Sequence, residues 1–468
     1  MNRVGYTSSL ILFILFLLLT SLNAQVQVSG NNYLEYSTNN EKDTTAFENW
    51  AEAQVTYLQK YRVGLRYEIH QPPQTFSFDT SGHGIYQRYA EYRGGSINVR
   101  AGNFYALLGR GLVLRSYENR TLRWDTNIDG VKLDAHHSLI DIKLLAGRPR
   151  DRSGVRHRAL TAGEITLKPL RLIHFGATYL STHLPSVQNG RVNWGSLYTE
   201  VNHKFGSLYG EYARKDVPGV SDAGDAVYLN GNLFIGALSL QVELKDYDRF
   251  DVTEGVTYNN PPLVAQEHLF TLLNRHQLVQ NANDERGFLA QISYPVIEDG
   301  VLTLNASQTE RHNRQKLYQE FFAQFDWLSS FGWEFLWVIS RQQDASARYL
   351  NFVSSTSIDF SNYNALKLVY EHQHTRVLLS DRQFYSQAVQ ISFSHAPTWT
   401  VSFLGEHSTD QFANRNYWAG LQLDVNFLKN FDLSVFGGTR RKGKICAGGV
   451  CVVKPELEGL EVLLISRF

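Results

Sequence analysis

The chain has 468 residues, and its 45 lysines and arginines balance 45 aspartates and glutamates, so its formal net charge is zero. That balance excludes a typical nucleic-acid-binding protein, which needs a basic excess to neutralise phosphates. A content of 8 Trp, 25 Tyr and 27 Phe is unlike that of a disordered chain. Two cysteines are too few for a disulfide scaffold or a multi-cysteine metal or iron–sulfur centre.

The first 24 residues have the pattern of a secretory signal peptide. Arg3 supplies a basic start, residues 10–19 form an unbroken apolar run, and the small residue Ala24 precedes the expected cleavage point. The apolar run is too short for a spanning helix, which needs about 20 residues. We therefore predict that residues 1–24 are removed on export and that residues 25–468 form the mature protein.

From residue 25 onward, apolar and polar residues alternate. In residues 238–245, for example, the apolar residues Leu238, Leu240, Val242 and Leu244 alternate with the polar residues Ser239, Gln241, Glu243 and Lys245. The same pattern recurs in residues 63–70, 131–136 and 421–427. A period of two is typical of strands with one apolar and one polar face. A soluble β-sandwich would show the same alternation, so this pattern leaves both folds open.

The lengths of the connections distinguish the two folds. About twelve long polar loops, including residues 37–48 and 342–348, alternate with about eleven tight turns, which gives roughly 24 strands with a range of 22–26. Such alternation places the long loops at one end of an antiparallel meander, as in transmembrane β-barrels. We therefore predict an all-β fold: one large antiparallel transmembrane barrel with long extracellular loops, short periplasmic turns and both termini in the periplasm.

The aromatic residues agree with this prediction. Trp333, Phe335 and Trp337 share one strand face, where rings would contact the lipid bilayer at its interface with water. The apolar residues Leu460, Val462 and Leu464 of the last strand share the face of the C-terminal Phe468. A terminal aromatic on such a strand is similar to the signal that the barrel-assembly machinery reads, so Phe468 is the expected assembly signal.

A barrel of this size encloses a wide lumen. Transporters with 22 strands carry a plug, whereas alternation here begins at residue 25 and leaves no room for a plug domain before the barrel. The two longest loops, residues 105–129 and 247–286, contain apolar stretches at 112–114 and 269–273 that would be unfavourable in water. We expect both loops to fold over or into the lumen, although a protein partner could fill or cap it instead.

Arginines are concentrated in two neighbouring loops, residues 105–129 and 147–158. The nine candidates for a pore constriction or for anion contacts are Arg110, Arg115, Arg120, Arg123, Arg148, Arg150, Arg152, Arg156 and Arg158. Arginine suits phosphate and carboxylate, and a basic ring in a pore favours anions. The alternatives are that these arginines bind lipopolysaccharide phosphates or pair with nearby Asp and Glu residues.

The final loop contains Cys446 and Cys451, separated by a segment with two glycines that allows the chain to turn back. In an oxidising compartment a disulfide is the expected product. No further ligands for a metal stand nearby in the sequence, and no hydrolase or phosphate-binding motif stands where it would have chemical meaning. The sequence thus predicts no enzyme, no cofactor and no metal site.

Several motifs resemble an uncharacterised outer-membrane β-barrel family of Bacteroidota. They are GNFY at 102–105, GRGL at 109–112, LRSYENR at 114–120, DGV at 129–131, NNPP at 259–262, EH at 267–268, LLNRH at 272–276, the 446–451 segment with Pro455 and EG at 458–459, and the terminal SRF at 466–468. The resemblance extends over the mature chain and implies the barrel fold and an outer-membrane location, but no activity.

Together these features predict a porin-like outer-membrane conduit for small, anionic solutes. The alternative is a non-conducting structural or secretion-associated barrel whose lumen is filled or capped by a partner protein.

Overall fold

The computed structural model describes residues 25–72, 82–120, 124–151, 155–156, 158–183, 190–221, 223–250, 259–276, 283–447 and 450–468. The predicted signal peptide, residues 1–24, lies outside the described residues, as do Arg123 and Arg152. No helix in the described ranges is long and apolar enough to cross a membrane.

Twenty-four strands form one closed antiparallel sheet, which confirms the predicted all-β barrel. They are β1 (Val26–Asn39), β2 (Thr44–Tyr57), β3 (Tyr61–Gln71), β4 (His83–Arg93), β5 (Ile97–Phe104), β10 (Ile128–His136), β11 (Ile140–Pro149), β12 (Leu160–Leu170), β13 (Ile173–His183), β14 (Arg191–His203), β15 (Gly206–Asp216), β16 (Asp225–Ile235), β17 (Leu238–Asp248), β18 (Asp284–Ile297), β19 (Gly300–Glu310), β20 (Lys316–Leu328), β21 (Glu334–Asp344), β22 (Ala347–Asp359), β23 (Asn364–Val377), β24 (Gln383–His395), β25 (Trp399–Ser408), β26 (Tyr417–Phe427), β27 (Phe431–Arg440) and β30 (Leu457–Arg467).

Within the described residues, three short hairpins and the 3-10 turn Leu272–Asn274 lie in the connections. The hairpins are β6 (Leu107–Leu108) with β7 (Leu114–Arg115), β8 (Glu118–Asn119) with β9 (Trp124–Asp125), and β28 (Gly443–Ala447) with β29 (Val450–Lys454). All four features interrupt the two longest loops and the last one.

The sheet closes because the first strand pairs with the last. Asn31 to Asn39 of β1 run antiparallel to Arg467 to Gly459 of β30. Gly30 and Phe468 exchange backbone hydrogen bonds of 2.8 and 3.0 Å beyond that ladder. A Cβ on Gly30 would lie 2.6 Å from the Phe468 ring, so only glycine permits this approach. Closure satisfies every strand edge, which a spanning sheet requires in lipid.

The connections at the end that holds both termini are tight turns, and we call this the turn end of the barrel; the opposite end is the loop end. Several loop-end connections are shorter than the sequence predicted; for example, strand pairing leaves residues 40–43 and 345–346 where loops over 37–48 and 342–348 were expected. The strands continue beyond the region in which apolar and polar residues alternate. There the backbone still forms its ladder of hydrogen bonds, but polar residues lie on both faces and the sequence no longer shows the period of two.

The two faces of the barrel wall differ sharply in polarity. On β3, Val63 and Leu65 are 60% and 44% exposed, whereas Arg66 and Glu68, which follow them on the opposite face of the strand, are 3% and 5% exposed. Apolar side chains thus point outward and polar ones point into the lumen, as expected for a wall between lipid and an aqueous interior. On each strand, the inner face therefore consists of the alternate positions whose side chains are buried and mostly polar.

Candidate functional site

The first inward segment comprises residues 105–120 and 124–127, the described part of the connection from β5 to β10. Leu112, Val113 and Leu114 are fully buried in one apolar cluster with inner-face residues of β11 to β17, among them Leu180 and Trp194. A segment that leaves β5 can contact the inner face of these strands only from within the barrel. The apolar stretch therefore packs against one side of the lumen wall.

Polar contacts hold the same segment to the wall. The backbone N–H of Gly109 donates to Glu164 Oε1 at 3.1 Å, and the N–H of Arg110 donates to Glu211 Oε2 at 3.1 Å. Lys143 Nζ donates to the carbonyl oxygen of Leu107 at 2.7 Å. Gly109 has φ +53°, and a Cβ there would lie 2.7 Å from the Glu211 carboxylate. The glycine therefore allows the backbone to approach this buried acid.

A charged cluster lies on the opposite side of the segment. Arg66, a buried residue of β3, places Nη1 2.6 Å from Glu118 Oε1 and Nη2 3.2 Å from Asp125 Oδ2. Arg120 Nη2 lies 2.7 Å from Glu52 Oε1 on β2. Burial raises the pKa of Glu118, and the guanidinium groups of Arg66 and Arg120 oppose that rise. Carboxylates of the barrel wall thus pair with an arginine of the segment, and carboxylates of the segment pair with an arginine of the wall.

Most of the described candidate arginines are engaged by the protein itself. Arg150 Nη1 lies 3.5 Å from Asp125, and Arg156 Nη2 donates to Asn127 Oδ1 at 2.6 Å. Arg110 and Arg115 lie over the rings of Tyr209 and Tyr117, at 4.8 and 5.2 Å from the centroids. Arg148 and Arg158 have exposed side chains. The structure therefore places Arg120 and Arg150 in local ion pairs, the alternative that the sequence left open.

The second inward segment comprises residues 259–276, between β17 and β18. The backbone N–H groups of Thr271 and Leu272 donate to the two carboxylate oxygens of Glu371 on β23, at 3.1 and 2.6 Å. The side-chain amide of Gln373 donates to the carbonyl oxygen of Leu272 at 2.7 Å. His268 Nε2 lies 2.8 Å from Glu320 Oε1 on β20. One end of the segment is thus fixed through its backbone to inner-face side chains.

A small apolar cluster accompanies these hydrogen bonds. Phe270 and Leu273 pack with Phe322, Val338 and Val353, which lie on the inner face of β20 to β22. The cluster is much smaller than the one around the first inward segment. The second inward segment therefore depends more on hydrogen bonds than on apolar burial.

The hairpin of β28 and β29 packs on the second inward segment. The Cys446 N–H donates to Thr271 Oγ1 at 3.0 Å, and Lys444 Nζ lies 2.5 Å from Glu267 Oε1. The backbone register sets Cys446 directly opposite Cys451, whose side chain lies outside the described part of the structure. The disulfide between these residues stays a prediction.

A cavity of about 450 Å³ lies between the second inward segment, this hairpin and the loop-end parts of β22 to β24, and we call it the basic cavity. The cationic side chains that line it are Arg275, Arg382, Arg441, Lys442 and Lys444. These residues come from three separate parts of the chain. The charge count of any single loop therefore gave no signal of this site.

The sequence also missed the inner-face acids that hold both segments. Glu211 and Glu371 lie in strands with the expected alternation. Each is next in sequence to an outward residue, Tyr212 or Tyr370, so alternation alone would have placed both acids inside the barrel. Their roles follow only from which loops reach them. Among the described residues, no group of three or more His, Cys, Asp or Glu side chains could hold a metal ion.

Solved structures share this fold at low sequence identity. The P pilus usher (PapC) translocation pore matches with a TM-score of 0.52 and 9% identity, covering 94% of this chain and 98% of that chain. The siderophore receptor PirA from Pseudomonas aeruginosa gives a TM-score of 0.47 at 9% identity, with 94% and 80% covered, and OccK3 (OpdO) from the same organism gives 0.41 at 11%, with 84% and 98% covered. At these identities only the fold is similar, and we base no argument on the two lower scores. No curated protein matches the chain, whereas residues 7–468 match a family of unknown function, DUF6029.

Proposed function

Because the chain belongs to the DUF6029 family, whose function is unknown, we propose from its own geometry that it is an outer-membrane conduit for small solutes, with a preference for anions. The observation that carries this proposal is a closed 24-stranded wall, apolar outside and polar inside, whose interior is narrowed by segments of its own chain. Barrels larger than 16–18 strands need such an obstruction to keep a permeability barrier.

The proposed setting follows the sequence predictions. Residues 1–24 direct export, the turn end with both termini faces the periplasm, and the loop end faces outward, where arginines such as Arg148 and Arg158 would meet lipopolysaccharide. The C-terminal strand with Phe468 is read by the barrel-assembly machinery. A Cys446–Cys451 disulfide closes the last hairpin. The resemblance to a Bacteroidota family supports this setting.

Conductance in a planar bilayer tests the proposal. We expect the mature protein to give small, steady, anion-biased currents, and we expect a variant in which a short Gly/Ser linker replaces residues 107–126 to conduct more, because the first inward segment narrows the lumen. Heat-dependent migration in a denaturing gel verifies that both proteins have folded as barrels. If neither folded protein conducts, the channel proposal is wrong.

One observation favours the rival function, a non-conducting barrel with a partner in or over the lumen. The apolar cluster around Leu112 and Leu114 is fully buried, which is typical of permanent packing rather than of a gate. A barrel of that kind would stay silent in both forms of the bilayer experiment. A protein that copurifies with the wild type and is lost from the 107–126 variant would then identify the occupant.

A further inference from the structure

The cations of the basic cavity face it, whereas their carboxylate partners stand behind them. Arg275 Nη2 and Arg441 Nη1 lie 2.6 and 2.9 Å from the two oxygens of Glu406, and Arg382 Nη1 lies 3.2 Å from Asp410 Oδ1. Glu406 and Asp410 do not line the cavity. The carboxylates therefore fix the directions of the guanidinium groups without covering their inner edges.

The charges on this site do not balance. Five cationic side chains line the cavity, and three carboxylates pair with them, namely Glu406, Asp410 and the Glu267 that holds Lys444. Among the described residues, Lys442 has no ion-pair partner and its side chain is exposed. The lining cations thus outnumber their ion-pair carboxylates by two, inside a lumen whose low-dielectric walls strengthen electrostatic fields.

The guanidinium and ammonium groups of this lining are hydrogen-bond donors and cannot accept. Neutral donors and acceptors complete the wall, including Gln373 and Thr375. The lining therefore favours an acceptor-rich, negatively charged molecule.

From this arrangement we infer that the basic cavity is a binding site for a small oxyanion with at least two negative charges, carried by carboxylate or phosphate groups. A volume of about 450 Å³ equals that of about fifteen water molecules, which suits a di- or tricarboxylate or a diphosphate. The site lies at the loop end, so it would be the first station for an anion that enters the lumen. The role as a station rests on the proposed conduit function, whereas binding itself does not.

Calorimetric titration of the folded protein in detergent tests the site with two probes, citrate and inorganic pyrophosphate, and with sucrose as an uncharged control. We expect saturable binding of one or both anions and none of sucrose. Binding of both supports recognition of the shared negative charge, binding of citrate alone assigns the site to carboxylates, and binding of pyrophosphate alone assigns it to phosphates. No saturable binding of either anion would overturn the inference.

Variants separate this site from general attraction of anions. Lys442→Gln removes a cation that pairs with no described carboxylate, and Arg382→Gln together with Asp410→Asn removes a pair without leaving a lone charge. We expect each to weaken binding about tenfold. Arg115→Gln, a matched loss of one charge on the first inward segment, should change affinity by less than about twofold because screening weakens a distant charge.

Equal weakening by Arg115→Gln would contradict a localised site. Conductance of the same proteins distinguishes the two proposals. If the barrel binds an anion but never conducts, the conduit proposal is wrong and the binding site stands. If the barrel conducts but binds no anion, the binding site is wrong and the conduit proposal stands.

Discussion

The two inward segments are held to the same wall by different forces. The first inward segment buries Leu112, Val113 and Leu114 in a large apolar cluster. The second inward segment instead directs two backbone N–H groups at the single carboxylate of Glu371 and buries a smaller cluster around Leu273. The first should behave as fixed packing, and the second should respond more readily to charge and to pH.

The two segments also differ in how their positive charge is used. The first lies among the densest arginines of the sequence, yet Arg66, Arg120 and Arg150 meet Glu52, Glu118 or Asp125. Beside the second, cations from distant parts of the chain converge on one cavity and keep their carboxylates behind them. The number of arginines in a loop therefore does not predict how many of them lack a counter-ion, because the strands supply carboxylates that the loop itself does not contain.

Burial of a charge under the first inward segment should have the largest effect. Leu112 is fully buried, so Leu112→Asp places an unpaired carboxylate in the apolar cluster, at a cost of about 3–5 kcal/mol. We expect the segment to leave the wall, and trypsin to cleave the folded barrel at Arg110 and Arg115. Leu107→Asp is the matched control, since Leu107 is 46% exposed. Equal protection of both variants would contradict apolar anchoring.

Loss of the charge of Glu371, which holds the second inward segment to the wall, should destabilise that segment less. Glu371→Gln keeps the shape of the side chain but replaces one of two charged acceptors with an amide, which should cost about 1–3 kcal/mol. We expect faster hydrogen exchange at the amides of Thr271 and Leu272, with the amide of Arg110 unchanged. Glu334→Gln, at an exposed position of the turn end, is the control. Unchanged exchange at Thr271 would mean that Glu371 does not hold the segment.

A backbone change in the first inward segment should have a moderate, local effect. Gly109→Ala adds a Cβ at φ +53° and 2.7 Å from Glu211, which should cost about 1–2 kcal/mol. We expect faster exchange of the Gly109 and Arg110 amides while Leu112 stays buried. Gly95→Ala is the control, because a Cβ there would meet nothing within 4 Å. Global loss of the folded barrel would indicate that the segment and the wall fold as one unit.

The sequence predicted the barrel well because its signals are local and repeated. Alternation along strands such as β17, and tight turns such as Leu428 with Lys429, depend only on neighbours in the chain. The strand count of the described barrel, 24, falls on the predicted value. Loop lengths were less accurate, because strands such as β1 and β2 extend beyond the part of the wall where alternation is enforced by lipid.

The site could be predicted only in part, because its contacts cross the lumen. Apolar runs at 112–114 and 269–273 drew attention to the two segments that contact the inner wall. The counter-ion Glu52 and the buried Arg66 gave no signal, since each lies in a strand far from its partner Glu118 or Arg120 in sequence. Pairings of this kind follow from barrel closure and from the paths of the loops, which a single sequence does not specify.

The smallest predicted effect concerns pH at the base of the second inward segment. His312, in the loop between β19 and β20, lies 2.8 Å from Asp246 on β17 through Nε2 and 2.8 Å from Asp284 on β18 through Nδ1. These are the two strands that carry the segment. Although partial burial lowers the pKa of His312, the hydrogen bonds that it donates to Asp284 and Asp246 and the charges of Asp246 and Asp248 outweigh burial and raise that pKa.

A raised pKa means that the folded protein binds the proton more tightly than the unfolded chain does. The stabilisation by His312 is therefore fully present below its ordinary pKa of about 6.5 and is lost as the pH rises through the raised value. Because the cluster is largely exposed, solvent screens these ion pairs and their contribution to stability is small. We expect protection of the Thr271 amide, corrected for intrinsic exchange, to fall slightly as the pH is raised above the ordinary histidine pKa of about 6.5, while that of Leu112 stays level. His312→Gln should remove the difference between the segments, and a pH dependence that persists in this variant would assign the effect to another group.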